Sequence, residues 1–389
     1  MENRTKYMLW GVALTVFILR CVYRWFFPNL YTDTLLLIEV STYYLEEGQM
    51  VHRPIEGSGM AGPFVPLTVM PKGYVYFLSF LSYVIPSPMH RVFIGDCLAL
   101  GILLFSSIKL LEVLIPDNRV PQLIFLGFLG VSPAFLHPLP ATDLMSLALL
   151  SLSMALLFWS SDRNVIVFLS SVFLCLTVSL RFAYIPFLAA LPTCFFLVLA
   201  TNFTLKQKWL ALTIYSILPF CFLIFLYAQK KNLPFLSDQH AQLFWEHLLH
   251  IDFFPVKALV YFNRDHLAYL AQHFFFPPEA LAFLMVFMSI LMLAVTFQTW
   301  YKWLRSDFRH LEQCAIFFAG IFLANVTLLV YLSATSPPET DWLPFWTFVM
   351  ETRYFAPSQY VLVLTLTYLT SRSNNIWTEF QARWPLFRA

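Results

Sequence analysis

Charged side chains are scarce in this sequence. Asp, Glu, Lys and Arg make up 12% of its 389 residues, while 59% are hydrophobic; soluble domains carry about a quarter charged residues. That scarcity excludes an ordinary soluble domain. Long apolar runs separated by short charged connectors mark a multi-pass helical membrane protein instead. No basic patch suits nucleic acid, and a net charge of +2 selects no partner. Cysteines are few: Cys21, Cys97, Cys175, Cys194, Cys221 and Cys314. All lie in or beside apolar runs and none pairs in an obvious external loop, so free thiols are expected rather than a disulfide framework. Internal repeats, low-complexity tracts and a soluble domain are all missing. The first apolar run lacks a small-residue cleavage site, and Arg20 and Arg24 interrupt its far end. It reads as an uncleaved transmembrane helix. What is abundant is Phe, with 42 copies, a composition suited to lipid-facing and interfacial surfaces.

Hydropathy places spans at roughly 7–27, 92–115, 121–136, 143–159, 164–180, 182–200, 208–227, 279–300, 312–333 and 356–371. The fold expected is an all-α, polytopic transmembrane bundle of about ten or more spans, forming one domain over 1–389. The segment 73–85 is apolar but short, and Pro71 and Pro86 bracket it. A run of that length is more often interfacial or re-entrant than spanning. Charge supports this. If 73–85 does not cross, one side carries 13 of the 24 basic residues against 7 of the 22 acids. The positive-inside rule makes that side, with both termini, cytoplasmic. If 73–85 crossed, the basic loop Lys302–Arg309 would face outward. The outer segments are then 28–91, 137–143, 228–278 and 334–355, with helices of the first lying at the outer face. A bacterial inner membrane is the expected location.

Acids are the rarer charge, so two of them at outer helix starts draw attention. Asp33 follows the first span, and Gly48 lies fifteen residues beyond it across a helix-like stretch. Asp33 stands where an N-cap would, a role worth about 1 kcal/mol. The same position suits a general base that takes a proton from an acceptor hydroxyl. Asp143 opens the span 143–159 after a Pro-rich turn. It too could cap its helix, with Thr142 a competitor, or share base and orienting duties with Asp33. Arg181 sits where 164–180 turns into the next span. An arginine there needs a partner, for which phosphate is well matched, or it snorkels to the interface. Lys72 and Arg53 add positive charge to the first outer segment. Arg353, in Glu351-Thr352-Arg353-Tyr354, either holds a phosphate or pairs with Glu351. His247, His250 and Asp252 have a metal-compatible spacing, but an amphipathic helix explains them as well. Asn202-Phe203-Thr204 fits a glycosylation sequon but falls on the cytoplasmic side.

The order of these features resembles the GT-C membrane glycosyltransferases, in the branch of the protein O-mannosyltransferases and the lipid A aminoarabinose transferase. It rests on Asp33 after the first span, the helix ending at Gly48, the run Met70-Pro71-Lys72-Gly73-Tyr74, the Thr142-Asp143 turn, Arg181-Phe182, and Arg353-Tyr354 with Pro357. The resemblance covers the first half best. It implies inverting transfer of a sugar from a polyprenyl-phosphate donor at the outer face of the membrane. The acceptor hydroxyl would belong to a glycan, a lipid or a protein. Asp33 would correspond to the first-loop catalytic aspartate and Asp143 to the second-loop one. Lys72, Arg181 and Arg353 would contact the donor phosphate, and His52, Arg53, Tyr74 and Tyr354 would be sugar or acceptor contacts. Relatives often have Asp-Glu where this chain has Asp33-Thr34, so metal-independent chemistry is predicted, with no cofactor beyond the lipid-linked donor. Relatives also commonly carry an aromatic where Leu35-Leu36-Leu37 stands, and the aminoarabinose enzyme has its lysine before the proline rather than after it.

Two other classes use the same residue types. A lipid or glycan transporter or flippase would bind with these charges but should show paired halves, broken helices and mid-span charges. A glycan ligase or polymerase would depend more on a long outer loop late in the chain than on Asp33.

Overall fold

The computed structural model describes residues 2–26, 32–53, 55–56, 59–60, 63–67, 71–115, 119–131, 141–160, 164–181 and 205–228, together with parts of 184–192 and 356–371. The spans expected at 279–300 and 312–333, the loop residues 229–278 and 334–355, and with them the pair Arg353-Tyr354, lie outside these residues. Eight helices are described: α1 (Glu2–Phe26), α2 (Thr32–Glu47), α3 (Gly73–Ser82), α4 (Pro88–Leu114), α5 (Arg119–Val131), α6 (Ala141–Ser160), α7 (Asn164–Leu180) and α8 (Leu205–Ala228). Between α2 and α3 lie two antiparallel two-residue pairings. Val51–His52 (β1) pairs with Val65–Pro66 (β4), and Ile55–Glu56 (β2) with Gly59–Met60 (β3).

Three stretches are long and apolar enough to cross a membrane: Tyr7–Phe26, Pro88–Leu114 and Thr142–Trp159. α1 shows the pattern of a lipid-facing helix. Its buried face is Leu9, Ala13, Val16, Arg20 and Arg24, and its exposed face is Leu14, Ile18, Val22 and Trp25. Charge points inward and hydrocarbon outward, the reverse of a soluble helix and the arrangement lipid imposes. α4 packs on α6, and α6 on α7. Serines stitch the second contact. Ser153 and Ser170 exchange hydrogen bonds, each hydroxyl donating to the other's carbonyl at 2.9 and 2.8 Å, and Ser146 donates to the Thr177 carbonyl. Small hydroxyl residues allow this close approach. On α4, Ser106 and Ser107 join Ser151 and Tyr360 in a buried hydroxyl network with contacts of 2.6–2.9 Å.

The first interhelical segment follows its expectation closely. α2 buries Leu36, Leu37, Val40 and Ser41 along one stripe and ends at Gly48, whose φ of +71° only glycine adopts without strain. The Gly48 N–H closes the last turn onto the Tyr44 carbonyl. α3 has ten residues, a length of about 15 Å, half a bilayer core. It lies against α2, α4 and α7. Arg91 fastens the connection from α3 to α4 by donating to the carbonyls of Ile85 and Pro86 at 2.8 and 2.6 Å.

Candidate functional site

Three contacts bring separate helix ends together. Arg181 Nε lies 3.0 Å from Asp143 Oδ1, with both side chains buried. This joins the end of α7 to the first turn of α6. A Cβ on Gly73 would stand 2.9 Å from the Ser179 carbonyl carbon. α3 therefore begins against the end of α7, and its N-cap, Lys72, is exposed there. Arg24 Nε lies 3.6 Å from Asp96 Oδ2, tying the end of α1 to the start of α4. The end of α1, the start of α4, the start of α6 and the end of α7 thus share one end of the bundle, here called the upper end.

Both aspartates lie inside the described helix bounds rather than ahead of them. α2 starts at Thr32, so Asp33 is the second residue of its helix. α6 starts at Ala141, so Asp143 is the third. Both lie in a first turn, where the helix dipole favours an acid. The Asp143 side chain is turned to Arg181 instead of back to its own helix N-terminus. Arg181 is correspondingly buried and not at the interface as a snorkelling residue would be; it is 8% exposed. Of Asp33 the described part is the backbone. Thr34, next to it, is 1% exposed, on the inner face of α2.

The remaining candidates divide into two groups. Lys72 is exposed at the upper end. Tyr74, two residues on, is fully buried, and its hydroxyl reaches α4 beside Gly95. Burial raises the hydroxyl well above its ordinary pKa, and the nearby Asp96 carboxylate adds to this. His52 and Arg53 belong to a different neighbourhood. Arg53 stacks over Phe64 at 5.1 Å and approaches Glu39 of α2 at 3.8 Å, while His52 Nδ1 lies 2.8 Å from the Arg53 carbonyl. Tyr43 closes on the other edge of Phe64 at 4.4 Å between ring centroids. The structure brings together Asp143 and Arg181, and places Lys72 at the start of α3, which begins against the end of α7; among the described residues His52 and Arg53 pack instead with Glu39 and Phe64.

Sequence reasoning missed a second polar cluster. A cleft between α1, α4, α5 and α6 is lined by Arg20, Arg24 and Asp96, with Leu144 among its walls. Leu144 follows Asp143, so the cleft adjoins the Asp143–Arg181 pair across the first turn of α6. Arg20 donates to the Leu129 carbonyl at 2.9 Å, near the end of α5. The thiols of Cys21 and Cys97 touch across the α1–α4 contact. The available signal was an acid, Asp96, inside an apolar run, facing a run interrupted by Arg20 and Arg24 one helical turn apart. No protein-family model matches this chain, and no curated protein is similar to it.

Proposed function

We propose that this chain is a membrane glycosyltransferase that moves a sugar from a polyprenyl-phosphate carrier to an acceptor hydroxyl, with inversion. The observation that carries the proposal is the buried Asp143–Arg181 pair at the end of α7, against which α3 begins directly after Lys72. The residue order shared with the GT-C enzymes supports it further. In this reading the chain is a GT-C-like bundle of about ten spans in a bacterial inner membrane, with cytoplasmic termini and the upper end at the outer face.

The chemistry is as follows. Asp33 accepts the proton of the acceptor hydroxyl, and that oxygen attacks the anomeric carbon. The bond from the anomeric carbon to the phosphate oxygen breaks, and its electrons leave with the carrier phosphate. Lys72, Arg181 and Arg353 offset the charge that develops there, the electrostatic contribution that dominates such steps. Asp143 holds Arg181 in place as a positioning residue. Asp33→Asn, expressed to wild-type level in cells, is expected to abolish glycan transfer, while full transfer by that variant overturns the assignment.

One observation bears on a second reading, a lipid or glycan transporter: a buried ion pair, Arg24–Asp96, joins the end of α1 to α4, two helices of spanning length. A transporter returns its lipid unaltered, whereas the transferase liberates carrier phosphate. Assay of that product separates them.

A further inference from the structure

Two levels along the α1–α4 contact carry the side chains that mark a membrane boundary. At the upper level Trp25 of α1 stacks on His90 of α4 at 5.7 Å and stands edge-on to Phe93 at 5.2 Å. Trp25 is more than half exposed and His90 is exposed. At the lower level the Lys109 ammonium of α4 lies 6.0 Å from the Trp10 ring of α1, 6.0 Å from Phe105 and 5.8 Å from Trp159 of α6. Lys109 also binds Glu112 at 2.8 Å, and Trp159 is more than half exposed. Amphipathic rings settle where hydrocarbon meets headgroups, and a lysine there keeps its stem in the apolar layer and its head in the polar one.

Between these levels the two helices run antiparallel in one register. Cys21 meets Cys97, and a Cβ on Gly101 would lie 3.6 Å from Phe17. Fifteen residues separate Trp10 from Trp25, and about fifteen separate the midpoints of the two groups on α4. The levels are therefore about 23 Å apart along the helix axes, and tilt only shortens the projection of that distance on the membrane normal. An ordinary hydrocarbon core measures about 30 Å. Within the interval Leu14, Ile18, Leu19 and Val22 of α1 and Ile94 and Leu98 of α4 are exposed. Every charged side chain of α1 and α4 in the same interval, Arg20, Arg24 and Asp96, is buried.

We propose that this surface fits a thin bilayer, with a hydrocarbon core of about 23 Å, the Trp25–His90–Phe93 group at one headgroup level and the Trp10–Lys109–Trp159 group at the other. The buried charges give the match a physical reason. Arg24 adjoins Trp25, and Asp96 is three residues beyond Phe93, about 5 Å along the axis. A core of about 30 Å would set both of them about 3–4 Å deeper in hydrocarbon, where charge is costly. The competing measure is the whole apolar stretch Tyr7–Phe26, whose 20 residues span about 30 Å. A thickness match does not depend on the transfer reaction.

The test is thermal unfolding of the purified full chain in nanodiscs of dimyristoleoyl, dioleoyl or dierucoyl phosphatidylcholine, which share a headgroup and increase in thickness in that order. The midpoint is expected to be highest in the dimyristoleoyl lipid and to fall by several degrees at each step, as mismatch grows. A maximum in the dioleoyl lipid means that the whole stretch Tyr7–Phe26 sets the thickness, and it overturns the proposal. A maximum in the dierucoyl lipid, or equal midpoints in all three, overturns it as well. The paired change Lys109→Met/Glu112→Gln removes the lower charges without stranding either, and is expected to move the maximum to the dioleoyl lipid. If that variant keeps its maximum in the dimyristoleoyl lipid, Lys109 does not set the lower level and the proposal fails. If it does not fold, the lipid series on the unsubstituted chain still decides.

Discussion

The Asp143–Arg181 pair sets the terms at the residue scale. Both side chains are nearly free of solvent contact, so removing one strands the other's charge. Arg181→Gln or Asp143→Leu is expected to destabilise by about 3–5 kcal/mol, read as a fall in the unfolding midpoint in detergent. The double change Asp143→Leu/Arg181→Met is expected to recover most of that, because two well-packed apolar groups replace two desolvated charges. If the double variant is as unstable as the singles, the pair is not the source of the loss. Gly73 makes a second prediction. An alanine there meets the Ser179 backbone, which cannot rotate away, and the expected cost is about 1–3 kcal/mol, with α3 pushed off α7. An unchanged midpoint for Gly73→Ala would show that the two helix ends are not in contact. Sequence reading found both residues of the ion pair by their positions, yet it gave them separate partners, because pairing across helices leaves no periodic trace in a chain. It passed over Asp96 for a related reason: a hydropathy window averages one acid into an apolar run.

For the elements, agreement was closest where local chemistry decides. Gly48 ends α2 because the left-handed conformation there suits glycine alone, and α7 occupies the residues 164–180 that hydropathy marked. α4 begins at Pro88 rather than at 92, and the signal was present in Ser87-Pro88, a cap residue followed by proline in the first turn. α6 begins at Ala141, two residues before the expected 143, with Asp143 in its first turn and paired to Arg181. The shortness of α3 has a topological consequence. Residues before and after a helix of that length are expected to lie on the same side of the membrane. In a cysteine-free background, Arg53→Cys and His90→Cys, both at exposed positions, are expected to react with a membrane-impermeant maleimide from the same side. Labelling from opposite sides would make 73–85 a span and reverse every later segment.

For the whole molecule, the scarcity of charge foretold the environment but not the arrangement. An inward-facing row of Arg20 and Arg24 on a helix whose outer surface is hydrocarbon is explained by lipid, and it could be read once the burial of α1 was known. Number of spans, orientation and catalysis rest on the charge asymmetry of the loops and on the residue order shared with the GT-C enzymes. The proposal of a leaving phosphate at the upper end builds on the buried Asp143–Arg181 pair and on the start of α3 against the end of α7. Reporter fusions test orientation at this scale: fluorescent protein fused at either terminus is expected to fluoresce, and periplasmic phosphatase fused there to be inactive.

The central claim is that a sugar leaves a lipid phosphate at Asp33. Its most direct measurement is the release of undecaprenyl phosphate by the purified chain in liposomes. The substrates are a panel of undecaprenyl-phosphate-linked pentoses and hexoses, offered with outer-membrane glycolipid and protein acceptors. At least one donor is expected to release carrier phosphate in step with glycosylated acceptor, and Asp33→Asn at equal reconstitution is expected to release none. Release that is unchanged in Asp33→Asn, or movement of intact donor across the liposome with no carrier phosphate formed from any member of the panel, would contradict it.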